Sequence, residues 1–330
     1  MSLTRAATVV ALTACAIAGA TVGAAAPAAA ATDPPGRILY TSGLGAREFN
    51  NLYSVLPDRT GRRTEVTNLD TRWPGSSVAY SADLRTVVYT RADQSVWTAR
   101  ADGTGARQII ARPDPDADPY CERVCGLTAP NFSPDGRQIA SLEPYDGGQM
   151  GRLIVLNVDG TNVRVFPGVD ARATMVGYGR VSWSPDGTRV TYAAGPREAD
   201  RSAIYVTDVG TGATRQLTDA GSFKLHAAWS PDGRQIAYSG TVPLAFGQLA
   251  YDLERDLYTV RVDDRRVLRV TNTPTRVENR PVWSPDSRWL AYDREPLVNP
   301  GVKPAVRLIG ATGTGDRPLD VNGQAYGWLR

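Results

Sequence analysis

Along most of the chain, aromatic and β-branched residues alternate with polar ones in short runs separated by Gly, Pro, Asp and Ser. Leu153-Ile154-Val155-Leu156-Asn157-Val158-Asp159-Gly160 is followed by Val163-Arg164-Val165-Phe166. Ala203 to Asp208 is matched in the same way with Thr214 to Thr218, and Leu257 to Val262 with Val267 to Thr271. A period of two with turn residues between runs predicts antiparallel hairpins that bury one face, so the expected class is all-β.

A second unit recurs ahead of these hairpins. Its full copies are Phe132-Ser133-Pro134-Asp135-Gly136-Arg137-Gln138-Ile139-Ala140, Trp183-Ser184-Pro185-Asp186-Gly187-Thr188-Arg189-Val190 and Trp229-Ser230-Pro231-Asp232-Gly233-Arg234-Gln235-Ile236. Weaker copies start at Tyr80-Ser81-Ala82-Asp83-Leu84 and Trp283-Ser284-Pro285-Asp286-Ser287. Pro sets φ for a tight turn, Asp bonds its own backbone and Gly tolerates the left-handed position, so the Asp is assigned to the turn and not to chemistry. The motif serines at 81, 133, 184, 230 and 284 are 52, 51, 46 and 54 residues apart. That period belongs to propeller blades of four strands, A to D, with tight A–B and C–D turns. Tyr326-Gly327-Trp328-Leu329 reads as a strand A with nothing after it, and Pro35-Gly36-Arg37-Ile38-Leu39-Tyr40 as a strand B with nothing before it. The expected fold is therefore a six-bladed β-propeller of four-stranded antiparallel blades, closed by pairing the N-terminal and C-terminal strands in one blade.

The first thirty residues break the pattern. Arg5 precedes an apolar, Ala-rich run from Ala6 to Ala26, then Pro27, Ala28 to Ala31 and the polar Thr32-Asp33-Pro34-Pro35. This order predicts a signal peptide over 1–31, cleaved after Ala31, with residues 32–330 as one secreted or extracytoplasmic domain without a membrane span. Two alternatives are a membrane anchor, opposed by the weak hydrophobicity of Ala and Thr, and lipid attachment at Cys15 through Leu12-Thr13-Ala14-Cys15. The apolar run continuing past Cys15 argues against the second.

Of 330 residues, 42% are hydrophobic and 22% charged, enough for a substantial core. Lys and Arg total 37 against 34 Asp and Glu, and a net +3 spread along the chain does not make the basic stripe that nucleic acid requires. The only lysines are Lys224 and Lys303, and the only histidine is His226, which excludes His-rich metal sites and leaves any Ser/His/Asp triad a single base. Cys121 and Cys125, in a chain sent to an oxidising compartment, predict a local disulfide that shapes one loop. Asp114-Pro115-Asp116-Ala117-Asp118-Pro119 lacks the glycine and final Glu of a calcium loop and reads as a solvated linker. No cofactor or metal is expected.

The repeated aromatic-Ser-Pro-Asp-Gly-Arg-x-Ile-Ala-Tyr unit resembles the WD-like repeat of TolB-type β-propellers, and the resemblance covers nearly the whole of 32–330. It implies the fold more than the function, because similar repeats occur in the periplasmic Tol protein, in propellers of prolyl oligopeptidase-type peptidases and in some polysaccharide lyases. The chain departs from each. Only about five residues separate the predicted leader from the first strand, where Tol proteins carry an α/β domain; no Gly-x-Ser-x-Gly elbow is present; and the lyases' clustered histidines are missing. The irregular connections 112–129, 143–151, 194–202, 239–256 and 293–305 fall at the end opposite the tight turns, the default functional surface. There, Val242, Leu244, Phe246, Leu249 and Tyr251 load one connection with apolar side chains, either as a partner anchor led by Phe246 or as a plug packed on the ring. Arg180, His226 and Arg280 stand three residues before the motif aromatic in successive repeats, where strand A is expected to begin at the channel mouth; Ser77, Ala129 and Ala325 hold that place elsewhere. This basic arc either holds a carboxylate or phosphate or pairs with acids between blades. No nucleophile stands with its base. The expected function is non-enzymatic binding of a protein, peptide or cell-envelope component by a monomer. The alternatives are an extracytoplasmic hydrolase or lyase at the channel mouth, which would show a close carboxylate pair of raised pKa, and a Tol-like envelope component.

Overall fold

The computed structural model describes residues 33–41, 52–66, 78–91, 93, 95–111, 127–145, 150–166, 180–195, 201–241, 254–297 and 303–329. The predicted leader with Cys15, the acidic run, Cys121, Cys125 and Phe246 lie outside the described residues.

Among the described residues every regular element is a strand. β1 (Arg37–Thr41), β2 (Leu52–Val55) and β3 (Arg63–Val66) form an antiparallel meander. Three four-stranded antiparallel sheets follow in chain order. The first comprises β4 (Val78–Tyr80), β5 (Thr86–Thr90), β6 (Val96–Arg100) and β7 (Arg107–Ile110). The second comprises β8 (Thr128–Phe132), β9 (Gln138–Tyr145), β10 (Met150–Asn157) and β11 (Arg164–Phe166), and the third β12 (Ser182–Trp183), β13 (Arg189–Ala194), β14 (Ala203–Asp208) and β15 (Thr214–Gln216). Two further meanders are β16 (Lys224–Trp229), β17 (Gln235–Thr241), β18 (Arg255–Arg261), β19 (Val267–Arg269) and β20 (Arg276–Trp283), β21 (Trp289–Pro296), β22 (Ala305–Gly310), β23 (Arg317–Asn322). One parallel pair, Arg255 with Val277, joins them into an eight-stranded sheet. Finally β24 (Gln324–Leu329) returns to β1, giving the order β24-β1-β2-β3 with Trp328 opposite Ile38.

The motif builds each A–B turn in the same way. The hydroxyl of Ser133 donates to Asp135 Oδ1 at 2.6 Å and accepts the Gln138 amide at 2.9 Å, while Asp135 Oδ1 also accepts the Arg137 amide at 3.1 Å. Ser81–Asp83, Ser184–Asp186, Ser230–Asp232 and Ser284–Asp286 repeat the hydroxyl bond at 2.5 to 2.6 Å. One carboxylate oxygen is thus engaged by its own turn, as expected from the residue type. The C–D turn then docks on the A–B turn of its own sheet through one backbone bond, as Ala101 does to Arg85, Val158 to Arg137, Val209 to Thr188, Val262 to Arg234 and Ala311 to Arg288. Both kinds of tight turn therefore share one end.

The sheets pack face to face in a propeller-like arrangement, because a sheet with two apolar faces has to cover both. The first strands of successive sheets touch, β4 with β8, β8 with β12, β12 with β16, β16 with β20 and β20 with β24. Apolar clusters fill the space between neighbours: Val88 and Val96 with Phe132 and Ile139, Leu153 and Val155 with Trp183 and Val190, Ile204 and Val206 with Trp229 and Ile236, Leu257 with Trp283 and Leu290, and Trp289 and Leu308 with Ile38 and Val55. A last cluster sets Leu39 and Leu52 of the β24-β1-β2-β3 sheet against Val87 and Ala99. Within sheets, strand-B tyrosines stack on strand-C tyrosines, Tyr40 on Tyr53, Tyr192 on Tyr205 and Tyr238 on Tyr258, with centroids 5.4 to 6.1 Å apart. Such pairs contribute about 0.5–1.5 kcal/mol beyond their burial.

Candidate functional site

The first strands β8, β16, β20 and β24 each carry an extra residue. The register of β8, β16 and β20 breaks between Thr128 and Asn131, Leu225 and Ala228, and Asn279 and Val282, and that of β24 at the same level, across from Leu39 and Tyr40. A bulge of this kind re-aims side chains out of the regular alternation. At the bulges of β16 and β20 stand His226 and Arg280, with φ of 54° and 52°. This left-handed backbone costs a non-glycine residue roughly 1–2 kcal/mol, and glycine would remove the strain. His226 and Arg280 thus lie inside their strands and not where they begin, since β16 starts at Lys224 and β20 at Arg276. Arg180 stands just ahead of β12, separated from it by Val181, near the start of its strand as expected.

The structure brings the three predicted residues together and adds others. His226 is held neutral, its pKa pushed well below the ordinary value first by burial and then by the guanidinium groups of Arg280, Arg180 and Arg255. Its Nδ1 is buried and has no hydrogen-bond partner among the described residues. Arg180 Nη1 donates to the Tyr326 carbonyl at 3.1 Å, and its guanidinium lies 4.5 Å from the Tyr326 ring centroid. β12 and β24 belong to different sheets, so this contact ties two separate sheets together. The Tyr326 hydroxyl in turn accepts the Tyr80 amide at 2.9 Å, linking β24 to β4. Arg280 Nη1 binds Asp293 Oδ2 at 3.0 Å, and the other oxygen of Asp293 accepts the Ala325 amide at 3.2 Å. Asp293 is 1% exposed, and burial pushes it up to about 6 against the opposing pull of Arg280. Arg180, His226, Arg255 and Arg280 are each partly exposed, while burial dominates the pKa of Arg180 and His226.

Arg255, Asp293 and Tyr326 were not singled out by sequence reasoning. Arg255 and Asp293 fall in the predicted connections 239–256 and 293–305, but β17 runs to Thr241, β18 begins at Arg255 and β21 continues to Pro296. The connection predicted over 143–151 is likewise mostly strand, with β9 reaching Tyr145 and β10 starting at Met150. Tyr326 showed only as the start of a strand.

A carboxylate pair of the kind a hydrolase requires occurs nearby, but its oxygens are occupied. Glu278 and Asp256 share the Thr271 hydroxyl. Glu278 also binds Arg294 and the Thr273 hydroxyl, and Asp256 binds Arg269 and the Thr273 amide. Burial raises Glu278 while these donors oppose the shift. With every oxygen fixed by protein donors, the pair works as a structural tie between β18 and β20. Lys224 is pinned similarly, its Nζ bonded to the Asp219 carbonyl at 2.9 Å and the Asp219 carboxylate at 3.2 Å, with Ser202 and Ser222 around it. No cluster of His, Cys, Asp and Glu among the described residues has metal-binding geometry.

No family model matches the chain. Among solved structures it is similar to TolB from Acinetobacter baumannii, with a TM-score of 0.61 at 19% identity over 90% of this chain and 67% of that one. A structure assigned to TolB from Agrobacterium tumefaciens gives 0.59 at 18% identity over 89% of this chain and 92% of that one. An oligogalacturonate lyase in complex with manganese gives 0.53 at 14% identity, covering 86% and 72%. At such identities the likeness is one of fold, and the fold this chain shares is that of the TolB β-propellers.

Proposed function

We propose that this chain is a closed six-bladed propeller that acts outside the cytoplasm as a binding module. It engages a protein, peptide or cell-envelope component through the end opposite its tight turns. The leader pattern over 1–31 supports export, with 32–330 as the working domain, and Cys121 with Cys125 forming a loop disulfide. Support for closure comes from β24 pairing with β1 and from an apolar cluster between each sheet and the next.

The observation that carries the functional reading is the pair of charged or polar side chains kept in left-handed backbone at matching bulges, His226 and Arg280. Strain persists where a side chain is needed in that place. The tight-turn end offers only a repeated backbone scaffold. The connection bearing Phe246 joins β17 to β18, whose described ends at Thr241 and Arg255 lie away from the tight turns.

The second reading is a hydrolase or lyase, favoured by the raised pKa of Asp293, to which Glu295 contributes, and by the fold shared with a lyase. Both oxygens of Asp293 are already engaged, which leaves it poorly placed to exchange a proton with a substrate.

The test is capture from a cell-envelope extract with the purified protein as bait. Phe246→Ser should weaken capture, by about 1–3 kcal/mol if it is an aromatic anchor, as should Arg180→Ala combined with Arg280→Ala. Asp186→Ala should lower stability and leave capture by the folded fraction intact. Capture lost with the turn variant and kept with both others would overturn the assignment.

A further inference from the structure

The connection from β19 to β20 is fastened to carboxylates at every other residue. The Thr271 hydroxyl meets Asp256 and Glu278. Thr273 donates its amide to Asp256 Oδ1 at 3.1 Å and its hydroxyl to Glu278 Oε1 at 2.7 Å, and the Thr275 amide donates to Glu254 Oε1 at 2.6 Å. Thr275 is held with φ of 64°, a left-handed conformation that is an outlier for a β-branched residue. The segment is therefore strapped into a backbone it would leave if the fastening gave way.

That fastening is one hydrogen short when both acids are ionised. Thr271 Oγ1 accepts the Leu257 amide at 2.8 Å and lies between Asp256 Oδ1, at 3.2 Å, and Glu278 Oε2. A hydroxyl has a single hydrogen and two lone pairs, so it serves one carboxylate and turns a bare oxygen to the other. A proton on Glu278 Oε2 completes the set, with Glu278 donating to Thr271 and Thr271 donating to Asp256. Glu278 is the member that takes it, because Asp256 has Arg269 on one oxygen and the Thr273 amide on the other, whereas Thr271 is the partner of Glu278 Oε2 among the described residues. Glu278 is also fully buried, which raises its pKa against these donors. Arg294 of β21 favours the ionised form, but it bonds Oε1 and also serves Asp316 and the Tyr292 hydroxyl. Arg307 pairs with Asp316, and farther along β20 and β21 Glu295 bonds Asn279 and Asp293 bonds Arg280. The titratable groups of the other strands packed on β20 face elsewhere: Lys224 pairs with Asp219, Tyr238 stacks on Tyr258, and Tyr326 lies against Arg180.

We propose that residues 271–275 form a proton-latched strap, closed while Glu278 Oε2 carries a hydrogen and released when that hydrogen is lost to solvent. The latch goes beyond the binding reading and holds whether or not that end takes a partner. The closed strap binds the proton more tightly than an open one, in which Glu278 meets water. Raising the pH therefore favours opening, by up to about tenfold per pH unit above the ordinary Glu value of about 4.3, and the effect levels off once the closed form has ionised too.

Amide hydrogen exchange on the intact protein between about pH 4.5 and 8.5, expressed as protection factors, reads this opening directly. Protection at Thr271, Thr273 and Thr275 should fall as pH rises, relative to the turn amides of Gly136, Gly187 and Gly233. Glu278→Gln puts an amide donor where the carboxyl hydrogen stands and should keep the strap protected across the range. Thr271→Val removes the relay and should give a strap that is loose at every pH. Wild-type strap amides whose protection stays level, or falls only in step with the turn amides, overturn the latch without recourse to any variant. The same fall in Glu278→Gln as in wild type overturns Glu278 as the carrier of the proton.

Discussion

At Gly136 the backbone turns with φ at +69°, and an added Cβ would meet nothing within 4 Å. Any penalty for a side chain there is conformational, free of steric contact. Leu84 and Ser287 occupy the same place in the weaker motifs with φ of 57° and 59°, so the turn geometry survives without glycine at some cost. Gly136→Ala should therefore destabilise by about 1 kcal/mol, read as a lower urea midpoint with an unchanged slope. The motif was legible because everything it does is local: Ser, Asp and the turning residue satisfy one another within a few positions. The same reasoning separates Asp186, held below its ordinary pKa chiefly by the Ser184 hydroxyl, from an acid available for catalysis.

The element that decides the site is the strand-A bulge, and it had no signature in the sequence. Spacing from the motif aromatic located Arg180, His226 and Arg280. A bulge carried by His and Arg, without the usual glycine, gave no hint that their side chains turn inward. Arg255 and Asp293 were hidden because strand length depends on pairing partners, and the runs around them end in polar residues that read as connections. Burial gives this element a distinctive pH response. Burial lifts Asp293 to about 6, so between about pH 4 and 6 the folded protein holds a proton that the unfolded chain has released, and stability falls as pH rises. His226, pushed down, refuses a proton that the unfolded chain takes up below about pH 6.5, so stability falls as pH drops. In urea titrations free of phosphate, Asp293→Asn should improve relative to wild type as pH rises from about 4 to 6, and His226→Asn as pH falls from about 6.5. The slopes are the readout, since each variant also carries a constant offset from lost contacts; parallel curves would refute the assignment.

For the whole molecule, the pairing of the chain ends was legible from two fragments of one repeat, and the structure places Trp328 opposite Ile38 and bonds its indole to the Pro35 carbonyl at 2.9 Å. Gly36 permits this seam, because a Cβ there would sit 2.1 Å from the Leu329 carbonyl oxygen. The joining of the β16–β19 and β20–β23 meanders at Arg255 and Val277 was not legible, since one parallel pair between consecutive sheets leaves no periodic trace. Deleting Gln324–Arg330 strips β1 of one of its two partners and opens the clusters on both sides of that sheet. In a closed ring, loss of the seam should lower stability by more than about 3 kcal/mol in one cooperative transition. A truncated protein that melts like the intact one would mean that the ends do not close the ring.

The division between a scaffold end and a binding end is tested most directly by hydrogen exchange, comparing the free protein with the same protein bound to the partner it captures. Protection should rise around 193–203, 239–256 and 293–306, the connections between second and third strands, and stay unchanged at the Ser-Pro-Asp-Gly turns around 133–137, 184–188 and 230–234. Protection confined to those turns, with the bulge strands exchanging as in the free protein, would contradict the account.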